Sequence, residues 1–190
     1  MKKKQARKLI NKEFNDLSKE NKSSFDEEIF KHFKSFFESY DGILNIGSYW
    51  ALSSEVESSL INDYLISKGL NLFLPRISNQ KNIKKLNFYK YSENEILEKN
   101  KYGILEPSQK NKYIDLNGLD LVIIPLRAFD LNFSRLGYGG GYYDSSLQNV
   151  KKEKRIGLSY EFQKINKIDI EKHDIELGGV ITPDGYFKKA

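Results

Sequence analysis

Apolar positions recur at helical spacing through the first forty residues, at Leu9, Ile10, Phe14 and Leu17 and again at Ile29, Phe30, Phe33, Phe36 and Phe37. That spacing predicts two amphipathic helices. Ser24-x-x-Glu27 has the form of a capping box and is expected to open the second helix, which Asp41-Gly42 breaks. The period then changes. Residues 43–47 form a short apolar run that reads as a buried strand. Ser54-x-x-Glu57 predicts a second capped start, with Leu60, Ile61, Tyr64 and Leu65 carrying a helix to Gly69. Residues 70–74 read as a strand stopped by Pro75, 86–91 as a strand, 93–99 as a short helix, and 102–112 as a loop around Pro107. Residues 119–124 give the clearest buried strand, closed by Pro125. A glycine-rich segment, 137–141, precedes a helix expected from Tyr142, and further strands are expected at 155–158 and 180–181.

Strand and helix in alternation argue for an α/β fold, a three-layer Rossmann-like arrangement with a largely parallel central sheet flanked by helices. A chain of 190 residues fits a single domain spanning 1–190. Ligands in such sheets bind beyond the carboxyl ends of the strands, which directs attention to the sequences after residues 47, 74 and 124.

Composition narrows the chemistry. Hydrophobic residues at 39% and charged residues at 30% argue against general disorder. The balance of 31 Lys+Arg against 26 Asp+Glu gives +5, a mild positive field that can draw nucleic acid, anionic membrane or small phosphorylated ligands. No cysteine is present, which excludes disulfides, thiol nucleophiles and cysteine-based metal centres. With only His32 and His173, a histidine cage is excluded as well. The basic N-terminus is not followed by an apolar signal core, and no apolar run approaches the roughly 20 residues of a membrane span. The expectation is a soluble, cytoplasmic protein.

The densest chemistry lies in residues 128–144. Four glycines among the five residues Gly137, Tyr138, Gly139, Gly140 and Gly141 allow close backbone approach and an anion nest, aided by the N-terminus of the helix that follows. Arg135 can offer a fork to phosphate, and Asp144 can hold Mg²⁺. No Gly-Lys-Ser/Thr closes the segment, so it is not a P-loop; Tyr142 replaces the last glycine of a dinucleotide fingerprint. The plainer alternative is a tight turn with aromatic packing. Trp50, the only tryptophan, can stack on a flat heterocycle, and Glu55 can accept hydrogen bonds from amino or ring N–H groups. A core tryptophan beside a helix N-terminus explains the same residues. Lys3 and Arg7 share a helix face and can clamp phosphates, although the run through Lys4 and Lys8 also reads as a solvated arm. Asp174, after His173, is a candidate second metal-side carboxylate; a surface loop is the default there.

Together these residues form a resemblance. The segment Ala128-Phe129-Asp130, followed by Arg135-Leu136-Gly137-Tyr138-Gly139-Gly140-Gly141-Tyr142-Tyr143-Asp144, resembles the signature of the 5-formyltetrahydrofolate cyclo-ligase family, also called methenyltetrahydrofolate synthetases. Supporting pieces follow in the family's order: Lys3-x-x-x-Arg7, Glu55-Val56-Glu57-Ser58, Leu74-Pro75-Arg76, Tyr102-Gly103-Ile104-x-Glu106-Pro107, Gly157-Leu158-Ser159-Tyr160 with Gln163, and His173-Asp174. The chain departs from the family where Leu126-Arg127 follows Pro125, in place of the usual glycine and apolar residue.

The resemblance implies ATP- and Mg²⁺-dependent conversion of 5-formyltetrahydrofolate to 5,10-methenyltetrahydrofolate, by phosphorylation of the formyl oxygen and ring closure by N10. It implies ATP contacts from Lys3, Lys4, Arg7, Arg135, Gly137, Tyr138, Gly139, Gly140, Gly141, Tyr142 and Tyr143. It implies folate contacts from Trp50, Glu55, Tyr138, Gly139, Gly140, Gly141 and Tyr142, with Mg²⁺ at Asp144 and Asp174. Arg135, Tyr142 and Asp144 are the expected catalytic residues. The partners are then two small anions, with no nucleic acid and no membrane, and the chain is expected to be a monomer. Arginine is scarce in this lysine-rich chain, so Arg76 or Arg127 is a further candidate grip for the folate glutamate tail or a phosphate. The competing readings are a basic RNA-binding module and a folate- or nucleotide-binding relative without turnover.

Overall fold

The computed structural model describes residues 2–78, 80 and 83–188. Four helices, α1 (Lys3–Asp16), α2 (Lys19–Glu38), α3 (Ser59–Ser67) and α4 (Tyr142–Ser146), interleave with strands. The main sheet has the order β12-β11-β10-β7-β1-β2-β3-β6. Its strands are β1 (Asn45–Gly47), β2 (Asn71–Ile77), β3 (Leu86–Tyr91), β6 (Tyr113–Ile114), β7 (Leu121–Ile124), β10 (Arg155–Leu158), β11 (Gly179–Thr182) and β12 (Gly185–Lys188). The run from β11 to β2 is parallel, and β12, β3 and β6 add antiparallel edges. Two small hairpins lie outside it, β4 (Glu98–Lys99) with β5 (Leu105–Glu106) and β8 (Ala128–Phe129) with β9 (Arg135–Leu136).

The sheet is buried on both faces, as its uninterrupted apolar strands require. Ile46, Leu72, Leu74, Leu121, Ile123 and Ile156 face α2 and α3 through Ile29, Phe33, Ile61 and Leu65. Phe73, Phe88, Val122, Ile124 and Val180 face the other way, onto Phe133, Leu147, Val150 and Leu177. That second cover is made of loops and the five-residue α4, so the third layer is thin. Ala6 and Ile10 of α1 pack on Ala128, Leu136 and Ile168. Among the described residues, no helix is long and apolar enough to cross a membrane.

Several expected boundaries move. The second helix starts at Lys19, where the Ser18 hydroxyl accepts the Asn21 N–H (3.1 Å), so Ser24 and Glu27 lie inside it. Ser54 and Glu57 precede α3, which starts at Ser59; the Glu57 N–H goes to Asp26 Oδ1 (3.0 Å) from α2, and a tertiary contact replaces the capping box. Residues 93–99 form a turn and a short strand, not a helix.

Pro75 does not stop β2 but pairs with Phe88 inside it. The backbones of Asn71 and Phe73 face β1, since Asn71 N donates to Leu44 O and Phe73 O accepts from Ser48 N, each at 2.9 Å. By alternation Pro75 also points to that side, where β1 has already ended, so its missing N–H costs no ladder bond. The early end of β1 leaves β2 and β7 extending past it. It is also where the chain's progression reverses across the sheet, with β2 on one side of β1 and β7 on the other. The site lies there.

Candidate active site

A cavity of about 290 Å³ opens beyond the carboxyl end of β1. Pro75 and Ile77 of β2, Pro125 after β7, and Tyr49 and Trp50 after β1 contribute walls, and the glycine-rich loop closes it. Trp50 meets Tyr91 edge-on at 5.7 Å and also lines the cavity, so it is both a packing residue and a wall. Tyr102, Leu105 and Glu106 complete another side.

Glu55 enters this apolar space with few partners. Leu52 N–H donates to its Oε2 at 2.8 Å. Burial pushes its carboxyl up to about 7, against the opposing pull of the Leu52 N–H and the Arg127 charge. Tyr138 is 44% exposed, yet its hydroxyl turns inward and donates to Ser54 O at 2.9 Å. Burial pushes this phenol to about 12, and it drives Tyr143 higher still.

The glycine loop connects the cavity to a cationic rim. Gly139 sits at φ +102°, a conformation that side chains resist, and a Cβ there would stand 3.3 Å from the Arg7 guanidinium carbon. A Cβ at Gly137 would stand 2.9 Å from Arg135 Nη1. Arg7 Nε donates to Gly137 O at 2.8 Å, holding α1 against the loop. Arg135 is buried; its Nη2 donates to Asp144 Oδ1 at 2.8 Å and its Nη1 to Pro125 O at 3.2 Å. Its guanidinium carbon stands 5.6 Å from the centre of the Tyr143 ring, and its buried Nε has no partner among the described residues. Lys3 Nζ bonds Asp174 Oδ2 at 2.6 Å and Glu171 Oε1 at 3.0 Å. Burial opposes ionisation of Asp174, but Lys3 and the Glu171 N–H hold its carboxyl below the ordinary range.

Asp144 and Asp174 belong to one rim, because Ile175 N–H reaches Asp144 Oδ1 at 3.4 Å. Each spends one oxygen on a cation and leaves the other without a hydrogen bond to a described residue. No group of three or more metal-ligating side chains gathers among the described residues. Two carboxylate oxygens suit Mg²⁺, which keeps several waters and takes the rest of its shell from phosphates. The expected dipole of the following helix is weak, since α4 has five residues.

The structure thus brings together Trp50, Glu55, Arg135, Asp144 and the loop from Gly137 to Tyr143, with Lys3, Arg7 and Asp174 along its rim. Lys4 is exposed on α1, away from the buried stripe. Arg76 is committed to protein partners, donating to Glu98 (2.7 Å) and Pro107 O (2.8 Å) and lying 3.7 Å from Glu106. Arg127 is fully buried, so neither arginine offers the free fork expected of it. Other pieces of the resemblance are scaffold. Asp130 holds the β8–β9 turn through the N–H groups of Asn132 and Ser134, and Gln163 Nε2 donates to Leu126 O at 2.9 Å. Tyr49 and Leu105 were not singled out by sequence; Tyr49 follows a strand end, which is the signal that marks it.

A model of the 5-formyltetrahydrofolate cyclo-ligase family matches residues 1–183. The chain is 31% identical over 141 residues to the 5-formyltetrahydrofolate cyclo-ligase of Haemophilus influenzae, covering 73% of this chain and 75% of that protein. It is 32% identical over 143 residues to the enzyme of the same name from Escherichia coli K12, covering 73% and 77%. The solved structure of Aquifex aeolicus 5,10-methenyltetrahydrofolate synthetase superposes with a TM-score of 0.82 at 25% identity, over 99% of this chain and 93% of that one. With the glycine-rich loop, the cavity and the fold in agreement, the chain belongs to the 5-formyltetrahydrofolate cyclo-ligase family of enzymes.

Proposed function

We propose that this chain converts 5-formyltetrahydrofolate to 5,10-methenyltetrahydrofolate at the expense of ATP. The observation that carries the reading is an apolar cavity and a cationic rim sharing one glycine-rich loop. A flat heterocycle and a phosphate chain can then meet across Gly137 to Tyr143. Trp50 and Tyr143 supply apolar walls for the pterin. Ionised Glu55 accepts hydrogen bonds from its amino and ring N–H groups. Lys3, Arg7 and Arg135 draw the ATP phosphates onto the loop.

The formamide oxygen is a poor leaving group. It attacks the γ-phosphorus, and ADP departs. The N10 lone pair then attacks the activated carbon, N10 gives up its proton, and phosphate leaves with the former formyl oxygen. No protein nucleophile is required, which suits a chain without cysteine. The residues act by positioning and by neutralising charge. Bound Mg²⁺, held by Asp144 and Asp174, would add charge neutralisation on the phosphates. Arg135, locked by Asp144 and Pro125 O, is a fixed buried charge beside the loop that neutralises phosphate through its field and not through a free fork. Tyr142 lines the cavity beside Tyr102 and is kept in this reading as a catalytic-site residue with Arg135 and Asp144.

The test is purified protein with ATP, Mg²⁺ and 5-formyltetrahydrofolate. Methenyltetrahydrofolate absorbs in the near ultraviolet at acid pH, so an ATP-dependent rise of that chromophore is the expected result. Its absence would overturn the reading.

A further inference from the structure

Arg127 is 1% exposed and lacks a carboxylate within ion-pairing distance among the described residues. A buried guanidinium ordinarily faces a counter-charge, because desolvation is costly. This one instead joins neutral groups from three separate segments. Its Nη1 donates to Ser54 O at 2.8 Å, in the loop that carries Glu55. Its Nη2 donates to Asn11 Oδ1 on α1. The guanidinium lies between two rings, with its carbon 4.7 Å from the centre of Phe14 and 5.0 Å from that of Tyr138.

The positions on α1 matter. Lys3, Arg7, Asn11 and Phe14 follow one another at helical spacing, on one face. Along that face Lys3 meets Asp174, Arg7 meets Gly137 O, and Asn11 and Phe14 meet Arg127. The residues offered to phosphate and the residues that hold Arg127 are therefore one rigid element. At its other end Arg127 touches Ser54 and Tyr138, which hold Glu55 and the cavity wall. A planar fork transmits displacement where a flexible ammonium would not.

We propose that Arg127 is a positioning residue that couples the cationic face of α1 to the folate cavity, so that nucleotide and folate bind cooperatively. The proposal rests on the function given above. Holding α1 on the glycine loop through phosphate contacts steadies Arg127, and Arg127 steadies Tyr138 and the Glu55 loop.

The test uses quenching of Trp50, the only tryptophan. The dissociation constant of 5-formyltetrahydrofolate is measured with and without a saturating, non-hydrolysable ATP analogue and Mg²⁺. In the wild type the analogue should tighten folate binding at least about fivefold, within the usual range of coupling. Arg127→Leu should bring that ratio below roughly twofold while each ligand still binds alone. Arg127→Lys should restore charge but little coupling. Asn11→Ala, at an exposed position, removes the helix end of the link without emptying the core, and decides the matter if Arg127→Leu does not fold. A merely structural arginine would lower Tm and leave the ratio alone. An unchanged ratio in Asn11→Ala and Arg127→Leu, or a wild-type ratio near one, overturns the coupling. Wild-type protein that binds neither ligand sinks the functional reading and this proposal together. Binding of both with coupling but without turnover supports the coupling and sinks only the reaction.

Discussion

Glu55 and Asp174 carry the same functional group to opposite ends of one site. Glu55 stands in the cavity, where burial outweighs a single backbone donor and a distant arginine, and its carboxyl rises to about 7. Asp174 stands on the rim, where Lys3 and a backbone N–H outweigh partial burial, and its carboxyl falls. The difference teaches how one loop borders two opposite electrostatic environments. The cavity keeps its carboxylate under-solvated, so that a hydrogen-bonding heterocycle improves its situation. The rim holds the Asp174 carboxyl below its ordinary range and pins Lys3 and Arg135 in ion pairs, which on the proposed reading offers phosphate a fixed charge.

The hardest blow to this division should come from the rim. Asp144→Asn frees Arg135 Nη2 from its ionic partner and should lower kcat by about 10²–10³-fold. Folate binding, read by Trp50 quenching, should stay within roughly threefold of wild type. Equal damage to folate affinity would erase the distinction between rim and cavity.

The cavity should respond differently. Glu55→Gln should cost about 10–100-fold in kcat/KM for the folate at pH 8, the scale of a lost charge-assisted hydrogen bond. The wild-type profile of kcat/KM should fall on the acid side with an apparent pKa near 7, and the variant should lack that limb. Stability should move the other way. The folded carboxyl binds its proton more tightly than the ordinary value of 4.5. Its favourable contribution is therefore full below about 4.5 and is lost as pH rises through about 7. Glu55→Gln should raise stability by about 1–3 kcal/mol at pH 8 and by much less at pH 4, checked by denaturant titration at both. A uniform destabilisation at both pH values would mean that Glu55 is ordinary scaffold.

The smallest effect is expected at Arg76. Its contacts are Glu98, Glu106 and Pro107 O, so Arg76→Lys should leave both Michaelis constants within roughly twofold and lower Tm by about 2–4 °C. A large rise in the folate Michaelis constant would extend the binding surface past the cavity to the β4–β5 hairpin.

Much of this was legible in residue order. The apolar run at 119–124 reads as a buried strand, and the Arg135-to-Asp144 motif, for which chemistry alone leaves a tight turn open, takes its meaning from the family resemblance it carries. The two misplaced capping boxes show the limit. Ser24-x-x-Glu27 has the right letters, but Ser18 lies closer to the true start and Phe25 already belongs to the helix's apolar side. At Ser54 to Glu57 the local pattern lost to Asp26, thirty-one residues away, which takes the Glu57 N–H. Pro75 likewise looked like a terminator because sequence cannot show that the neighbouring strand is short. The arginines illustrate the same gap. Their scarcity marked them correctly as special, but whether a fork faces a ligand or three protein segments depends on what folds around it.

The link from Lys3 to Asp174 and Glu171 spans 171 and 168 residues of chain. During synthesis, at about 5–20 residues per second, Arg127 and Gly137 emerge in time to meet Asn11 and Arg7, whereas Lys3 must wait for residues 171 and 174. Ala6 and Ile10 meet Ala128 and Leu136 first, and their cluster is complete only with Ile168. A product that stops short of residue 171 has the glycine loop, the cavity walls and the Arg7 contact but lacks the acidic latch for Lys3 at the helix's first turn.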